Sequence, residues 1–426
     1  MNRYALLTAL CACFLRPCVT AQTTYVHAGT LIDGTGAAPR TEQTVIIQDG
    51  TVTAVRNGFV TAPDSATLIN LSEQYVLPGL IDLHVHIESE SSPGRYLEAF
   101  TLDPADVALR ATQYARRTLE AGFTTVRDLG GTGVNVSLRD AINRGYIPGP
   151  RILTAEKAIA STGGHADPSN GRNAALAFDA GPDRGVINGP DEAWKAVRTR
   201  YKNGADVIKI TATGGVLSVA KDGSGPQFRD EELDAIIAAA KDYGFTTAAH
   251  AHGKEGMKRA VLAGITTIEH GSLMDEEVMD LMIERGTFYV PTLSAGKFVA
   301  DKAKQPGYFP AIIVPKALSI GAALQETFGR AYRRGVKIAF GTDAGVSPHG
   351  TNAKEFALMV EAGMSPQEAI TAATQTAAEA LNMAGEVGCL QPGCAGDLIG
   401  VGENPLEDVT VLEEVDVVVK AGRRIL

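Results

Sequence analysis

The 426-residue chain has few of the features that mark several large protein classes. It holds five cysteines, three of them (Cys11, Cys13, Cys18) within the first 21 residues. So few thiols exclude a disulfide-dense scaffold. The remaining two lie five apart in the turn-like run Cys389-Leu390-Gln391-Pro392-Gly393-Cys394. Spacing alone leaves their pairing open, with two free thiols the favoured reading. No Lys/Arg run is long enough to track phosphates, and the formal net charge is −10, so nucleic-acid binding is set aside. The glycine-rich stretch Gly130-Gly131-Thr132-Gly133 is a poor match to the dinucleotide fingerprint G-x-G-x-x-G, which removes the main attraction of an open doubly wound sheet.

Long apolar runs are also missing. Ala5 to Leu15 is a short one, well under the roughly 20 residues that cross a bilayer. With Arg3 before it and Val19-Thr20-Ala21 after it, it reads as a secretory signal covering residues 1–21, with the mature chain starting near Gln22. Leu15-Arg16-Pro17 ahead of Cys18 is too bulky and charged for a lipoprotein site. The expectation is an exported, periplasmic or secreted protein with no membrane attachment after cleavage.

What is present is ordinary globular composition, 45% hydrophobic and 21% charged, in a chain long enough for a large core. Residues 22–75 read as short strands and turns, among them Thr24-Tyr25-Val26-His27 and Thr44-Val45-Ile46-Ile47. The tail, 385–426, returns to that style with Asp397-Leu398-Ile399-Gly400-Val401 and Val415-Asp416-Val417-Val418-Val419. Both ends are therefore expected to build one small composite β-sandwich domain. Between them, 76–384 alternates. Strands are expected at 81–87, 124–129, 151–156, 207–213, 246–251, 266–270, 287–292 and 337–342, with helices at 104–121, 191–203, 229–243, 254–263, 275–285 and 316–334. Gly122, Gly204, Gly244, Gly264, Gly286 and Gly335 stand just before strands, where a helix-stopping residue is wanted. Eight β/α units predict an α/β fold, a (β/α)8 TIM barrel.

Only eight histidines occur, and five of them (His84, His86, His250, His252, His270) sit at ends of expected strands. In a parallel barrel those ends meet at one face, and histidine is the commonest metal ligand. His84 and His86 form H-x-H, and residues i and i+2 of a strand share a face. An isolated H-x-H is more often two plain polar residues; ligands at other strand ends reverse that. His250 and His270 each follow a Thr-Thr pair and one apolar step, so they sit at matching depth. His252, further out on the face of His250, reads as a substrate or oxyanion contact. Lys209 lies in Val207-Ile208-Lys209-Ile210. Charged there, it is costly, which leaves a buried ion pair or a desolvated amine that adds carbon dioxide to become N6-carboxylysine. Asp343 in Gly341-Thr342-Asp343 would alone be a turn residue; beside the histidines it reads as metal ligand and proton shuttle. Zinc accepts such N and O ligands.

These motifs, with Ala28-Gly29-Thr30-Leu31-Ile32-Asp33-Gly34, Leu77-Pro78-Gly79-Leu80-Ile81-Asp82-Leu83-His84-Val85-His86, Gly163-Gly164-His165-Ala166-Asp167 and Gly388-Cys389-Leu390-Gln391-Pro392-Gly393, resemble the amidohydrolase superfamily in its imidazolonepropionase-like and Xaa-Pro-dipeptidase-like branch. Within it the chain is similar to bacterial amidohydrolases that cleave ochratoxin A. The usual Ala-Asp-Leu near the C-terminus is here Gly396-Asp397-Leu398, far from the metal motifs. The resemblance implies a barrel beside a composite β-domain and two divalent ions, zinc expected, bridged by carboxylated Lys209. His84, His86 and Asp343 would hold the buried ion, and His250 and His270 the outer one. It also implies a homo-oligomer, an octamer being one candidate size.

His165 in its glycine-rich loop, Leu217 and Tyr289 are candidate substrate contacts; for each, a loop hydrogen bond or packing is an equal alternative. His349 reads as structural and His27 as irrelevant to catalysis. The expected activity is hydrolysis of a small-molecule amide, an N-acyl amino acid or dipeptide with a hydrophobic C-terminal residue, ochratoxin A included. A cyclic-amide hydrolase is the runner-up. An exported solute-binding protein is the alternative of another class, one that needs no ligands at five strand ends.

Overall fold

The computed structural model describes residues 22–176, 178–220 and 223–426; the expected signal lies outside them. The first strands are β1 (Thr23–Leu31), β2 (Arg40–Gln48), β3 (Thr51–Asn57) and β4 (Thr67–Pro78). Seven strands of three residues or more follow in the middle: β5 (Leu80–Val85), β6 (Phe123–Asp128), β7 (Arg151–Thr154), β8 (Val207–Thr211), β9 (Thr246–Ala251), β10 (Thr267–His270) and β11 (Phe288–Val290), with a two-residue pair, Ala160–Ser161 and Val186–Ile187, beside them. The last are β12 (Leu398–Val401), β13 (Val417–Lys420) and β14 (Arg423–Arg424).

The two ends do share one sheet. Its order is β14-β13-β12-β4-β1-β2-β3, with β12 antiparallel to β4 through Leu398↔Pro78 and Ile399↔Leu77. Alternating apolar residues of both ends, including Val26, Val45, Leu71, Leu398 and Val419, form one buried cluster. Cys389 and Cys394 are disulfide-bonded, their Cα atoms 5.9 Å apart, against the favoured reading of free thiols. The turn decides it: Gly393 has φ +100° and Cys394 N–H donates back to the Gln391 carbonyl at 3.0 Å, so the segment doubles on itself. Separation along the chain carries no record of that reversal.

Gly79 joins this sheet to the middle. A Cβ there would lie 2.1 Å from the Thr124 hydroxyl, so only glycine lets β4 pass directly into β5 beside β6. The middle strands are parallel in two sets, β5-β6-β7 and β8-β9-β10-β11. Backbone bonds connect the sets. Asp206 N–H donates to the Thr154 carbonyl (2.7 Å) and Ile159 N–H to that of Lys209 (2.8 Å). On the other side, Ala339 N–H donates to Tyr289 (2.9 Å) and Leu83 N–H to Phe340 (3.0 Å). The hydrogen bonds therefore run in a closed circuit.

The expected strand 337–342 is not a regular strand; it contributes parallel bridges at Ile338 and Ala344. Two local facts interrupt it. A Cβ on Gly341 would lie 2.4 Å from Val290, and Asp343 takes φ +58°, outside extended geometry. Helices Pro104–Glu120, Pro190–Lys202, Asp230–Asp242, Lys254–Ala263, Glu276–Arg285 and Val314–Arg334 match the six expected. Gly264, Gly286 and Gly335 end the last three in left-handed geometry. Their apolar stripes pack on the strands in one large core that includes Ile208, Ala249, Ile268 and Phe340. Among the described residues no helix is long and apolar enough to cross a membrane.

Candidate metal centre and active site

Six histidines meet at the C-terminal ends of the middle strands. Ring centroids lie 5.5 Å apart for His84–His86, 4.9 Å for His84–His270, 4.7 Å for His250–His270, 4.6 Å for His250–His252 and 4.3 Å for His165–His250. Asp343 and Lys209 complete the cluster: Asp343 Oδ1 is 3.5 Å from His84 Nε2 and 3.4 Å from His86 Nε2, and Lys209 Nζ is 3.4 Å from His84 Nε2.

The tautomers follow from the far side of each ring. His84 Nδ1 donates to Glu269 Oε2 (2.9 Å) and His86 Nδ1 to the Gly130 carbonyl (2.7 Å). Each Nε2 is then a lone pair. Burial holds both imidazoles neutral, with His86 pushed down to about 3 and His84 well below its ordinary value. Asp343 Oδ1 is buried with no hydrogen-bond partner. Three acceptors thus converge, with the Lys209 amine, 3.4 Å from His84 Nε2, as the one donor beside them, and such a set of N and O lone pairs suits a cation. Ligand atoms of His84, His270 and Asp343 all lie within 4.8 Å of one another. His270, assigned from sequence to an outer ion with His250, therefore also groups with the residues assigned to the buried one.

Burial raises the Asp343 carboxyl to about 7, despite the pull of nearby Lys209. Burial likewise lowers the Lys209 amine to about 8, against the attraction of Glu269 and Asp343. Both groups can then lose or gain a proton near neutrality. Three non-glycine residues here take left-handed backbone: His270 (φ +70°), Thr292 (φ +54°) and Asp343 (φ +58°). Such strain clusters at functional sites. The Thr292 hydroxyl is 2.7 Å from His270 Nδ1, and the Ser272 hydroxyl is 2.8 Å from His252 Nδ1.

Behind the cluster lies an ion pair with no solvent exposure, Arg127–Glu269 at 2.9 Å. Arg127 Nε also donates to the Leu83 carbonyl (2.6 Å), and Glu269 holds His84. Sequence reasoning passed over both residues, although Val126-Arg127-Asp128 and Ile268-Glu269-His270 carry the signal Lys209 carried, a charge on an apolar strand.

The cluster floors a cavity of about 300 Å³. His165, Leu217 and His252 line it. Gly215 makes room for His165, since a Cβ there would meet the ring at 2.2 Å. Tyr289 does not reach it: the side chain is wholly buried and its hydroxyl donates to the His270 carbonyl at 2.7 Å. Strand alternation points Tyr289 inward but gives no depth, and it packs beneath the site. His349 lies apart, stacked on Tyr114, and His27 is in the end sheet, 2.8 Å from the Val60 carbonyl. The walls also include Val216, Ala295, Val299 and Ile320, with Arg95 and Tyr96; none of these was singled out from sequence, because a helix period marks an apolar face without showing which part of it fronts a cavity, and the loop residues have no period.

A parallel α/β ring with a histidine–aspartate centre at the strand ends is the architecture of a metal-assisted hydrolase. The chain belongs to the amidohydrolase family, whose model matches residues 75–425. It is 33% identical to the ochratoxinase of Aspergillus niger across 94% of this chain and 86% of that protein. The crystal structure of that ochratoxinase superposes with a TM-score of 0.82 at 31% identity, covering 95% of each chain. A Xaa-Pro dipeptidase crystallised with methionine in its active site superposes with a TM-score of 0.91 at 52% identity, covering 95% of this chain and 99% of the other. A prolidase complexed with N-methylphosphonate-L-proline gives 0.87 at 32%, with coverages of 95% and 99%. The chain is therefore an amide-bond hydrolase, and its neighbours imply a TIM-barrel α/β fold. The solute-binding alternative gives way to that membership.

Proposed function

We propose that this protein is a binuclear metal-dependent amidohydrolase. It cleaves N-acyl amino acids or dipeptides with a hydrophobic C-terminal residue, ochratoxin A among them (to ochratoxin α and phenylalanine). The observation that carries the reading is the convergence of His84 Nε2, His86 Nε2 and the unpartnered Asp343 Oδ1. His84, His86 and Asp343 would hold one ion and His250 and His270 the other, with Lys209 as N6-carboxylysine between them. Divalent ions, zinc the expected pair, supply Lewis acidity toward water and an amide carbonyl.

The chain's own groups do the rest. Asp343 takes a proton from water on its carboxylate and passes it to the leaving nitrogen. His252, fixed by Ser272, donates toward the carbonyl oxygen. His165 positions the amide beside His250. Leu217 and Val216 receive the hydrophobic side chain. Lys209, desolvated and partly neutral at pH 7–8, attacks carbon dioxide with its amine lone pair; the N–C bond forms, one proton leaves, and a carbamate remains.

The same reading takes the chain as exported after cleavage near Ala21, which the Cys389–Cys394 disulfide supports, and as a homo-oligomer, with an octamer one size to test. It divides the mature chain into 22–75, 76–384 and 385–426, a (β/α)8 barrel beside a composite β-sandwich domain to which the seven-stranded sheet of both ends belongs. A panel of N-acyl amino acids, dipeptides, ochratoxin A and cyclic amides tests the activity on zinc-loaded protein. Turnover of the acyclic amides that chelation abolishes is expected. Turnover of cyclic amides alone, or full activity after exhaustive chelation, would overturn it.

A further inference from the structure

The cavity holds a cation that the chemistry above leaves unused. Arg95 lines it and is partly buried. Among the described residues it has no ion-pair partner. Among the described residues its one side-chain hydrogen bond is from Nη1 to the Gly345 carbonyl at a long 3.5 Å, in the segment that carries Asp343. The other arginines near this end differ: Arg110 pairs with Glu98 and Arg117 with Glu90, both at 2.9 Å. A guanidinium offers five donors in a planar fork that fits a carboxylate. Arg95 leaves most of them unmatched while already drawn out of bulk water.

Its place is kept by the same loop that makes the apolar wall. Tyr96 OH donates to the Leu217 carbonyl at 3.0 Å, so the start of the Arg95–Thr101 helix is tied to the Val216–Leu217 wall. A ligand with one apolar group against that wall and one anionic group beside it would fill both. The Asp343 carboxylate in the same cavity feels the Arg95 charge but forms no ion pair with it among the described residues, its Oδ1 lying 3.4–3.5 Å from the His86 and His84 nitrogens.

We propose that Arg95 binds the carboxylate of the substrate, so that the enzyme selects amides whose amine half is an α-amino acid, its apolar side chain against Val216 and Leu217. This rests on the amide-hydrolase reading and names the group that sets its substrate class. Arg95 thereby orients the scissile amide between two fixed points, the cation at the wall and the histidine–aspartate floor.

The test compares N-benzoyl-L-phenylalanine with N-benzoylphenethylamine, which lacks only the carboxylate, on zinc-loaded wild type, Arg95→Met and Arg95→Lys. A charge-assisted hydrogen bond sets the expected size. Wild type should favour the acid by about 10- to 100-fold in kcat/KM, mostly through KM. Arg95→Met should bring that ratio to within about threefold, and Arg95→Lys should recover part of it. Circular dichroism and zinc content guard against misfolding. A ratio that survives in Arg95→Met, or an equal loss on both substrates in kcat, overturns the proposal while leaving the hydrolase reading intact. If wild type cleaves no N-acyl amino acid, the hydrolase reading fails instead. Calorimetric binding of 3-phenylpropionate against 3-phenylpropanamide then decides for Arg95: loss of the preference in Arg95→Met supports the site, and equal binding by wild type overturns it.

Discussion

Glu269→Gln is the perturbation whose consequences the structure separates best. Glu269 and Arg127 have no side-chain exposure and meet at 2.9 Å. Glu269 also accepts from His84 Nδ1 at 2.9 Å and from the Thr267 hydroxyl. Removing its charge leaves the Arg127 guanidinium buried without a counter-ion, and breaking one side of such a pair costs about 3–5 kcal/mol. The metal-free variant should be destabilised by that amount in urea. The same change weakens the acceptor that fixes the His84 ring, and partners of this kind are worth about 10–100-fold in metal affinity. Competition with a chromophoric chelator measures that loss. The two effects part company in the double variant Arg127→Met/Glu269→Met. An apolar pair of similar volume removes both buried charges, so stability should return to within about 1–2 kcal/mol of wild type. The residual cost is the Leu83 carbonyl, which loses the 2.6 Å bond from Arg127 Nε. Zinc affinity should stay low, because nothing then orients His84. A Glu269→Gln variant destabilised by less than about 1 kcal/mol, or a double variant that binds zinc like wild type, would refute the reasoning.

Asp343→Asn should keep the fold and lower turnover of zinc-loaded enzyme about 10²–10⁴-fold; near-normal turnover would remove Asp343 from proton transfer. Lys209→Ala should lose metal and activity together, with partial recovery when a short carboxylate is added; intact-mass data showing an unmodified lysine in fully active zinc enzyme would sink the carbamate. Lys420, which donates to the Gly149 carbonyl at 2.5 Å, is lowered by burial from 10.5 to about 8. Between those values the unfolded chain binds more protons, so its contribution to stability rises with pH. Metal-free wild type should gain up to about 3 kcal/mol over Lys420→Met between pH 8 and 10.5, read as urea midpoints; equal slopes would show that the amine is not desolvated.

The fold was legible where one residue type repeats at one place in each unit. Helix-ending glycines before β-branched strands marked the alternation, and the six expected helices stand within two residues of those found. The cluster was legible for the same reason: a parallel ring maps the end of every strand onto one face, so His84, Lys209, His250, His270 and Asp343 are neighbours in space through a rule about strand ends. What that rule omits is depth and support. Tyr289 has the right strand and the wrong level. Arg127 and Glu269 face inward below the ligands, where only the pairing of two distant strands explains them. The cavity walls come from loops without a period and from helix faces, such as those of Val299 and Ile320, whose period marks them as apolar but not as walls of a site.

The eighth unit shows how function and regular structure compete for the same residues. A continuous strand over 337–342 would keep its residues extended and alternate their side chains across the sheet. Asp343 instead takes a left-handed backbone that brings Oδ1 to within 3.5 Å of both His84 and His86 nitrogens, while Gly341 and Thr342 hold the segment to β5. Thr342 does so through Asp82: its hydroxyl donates to Oδ2 at 2.6 Å and its N–H to Oδ1 at 3.1 Å. Asp82 also accepts from His84 N–H at 3.0 Å, so one buried carboxylate fixes the backbone of two ligand-bearing segments. The backbone bonds to β5 survive on either side, from Leu83 N–H to Phe340 (3.0 Å) and from Asp343 N–H to His84 (2.7 Å), and the Asp82 carboxylate adds the fixing bonds between them; an aspartate two residues before a histidine ligand is the sequence trace of that support.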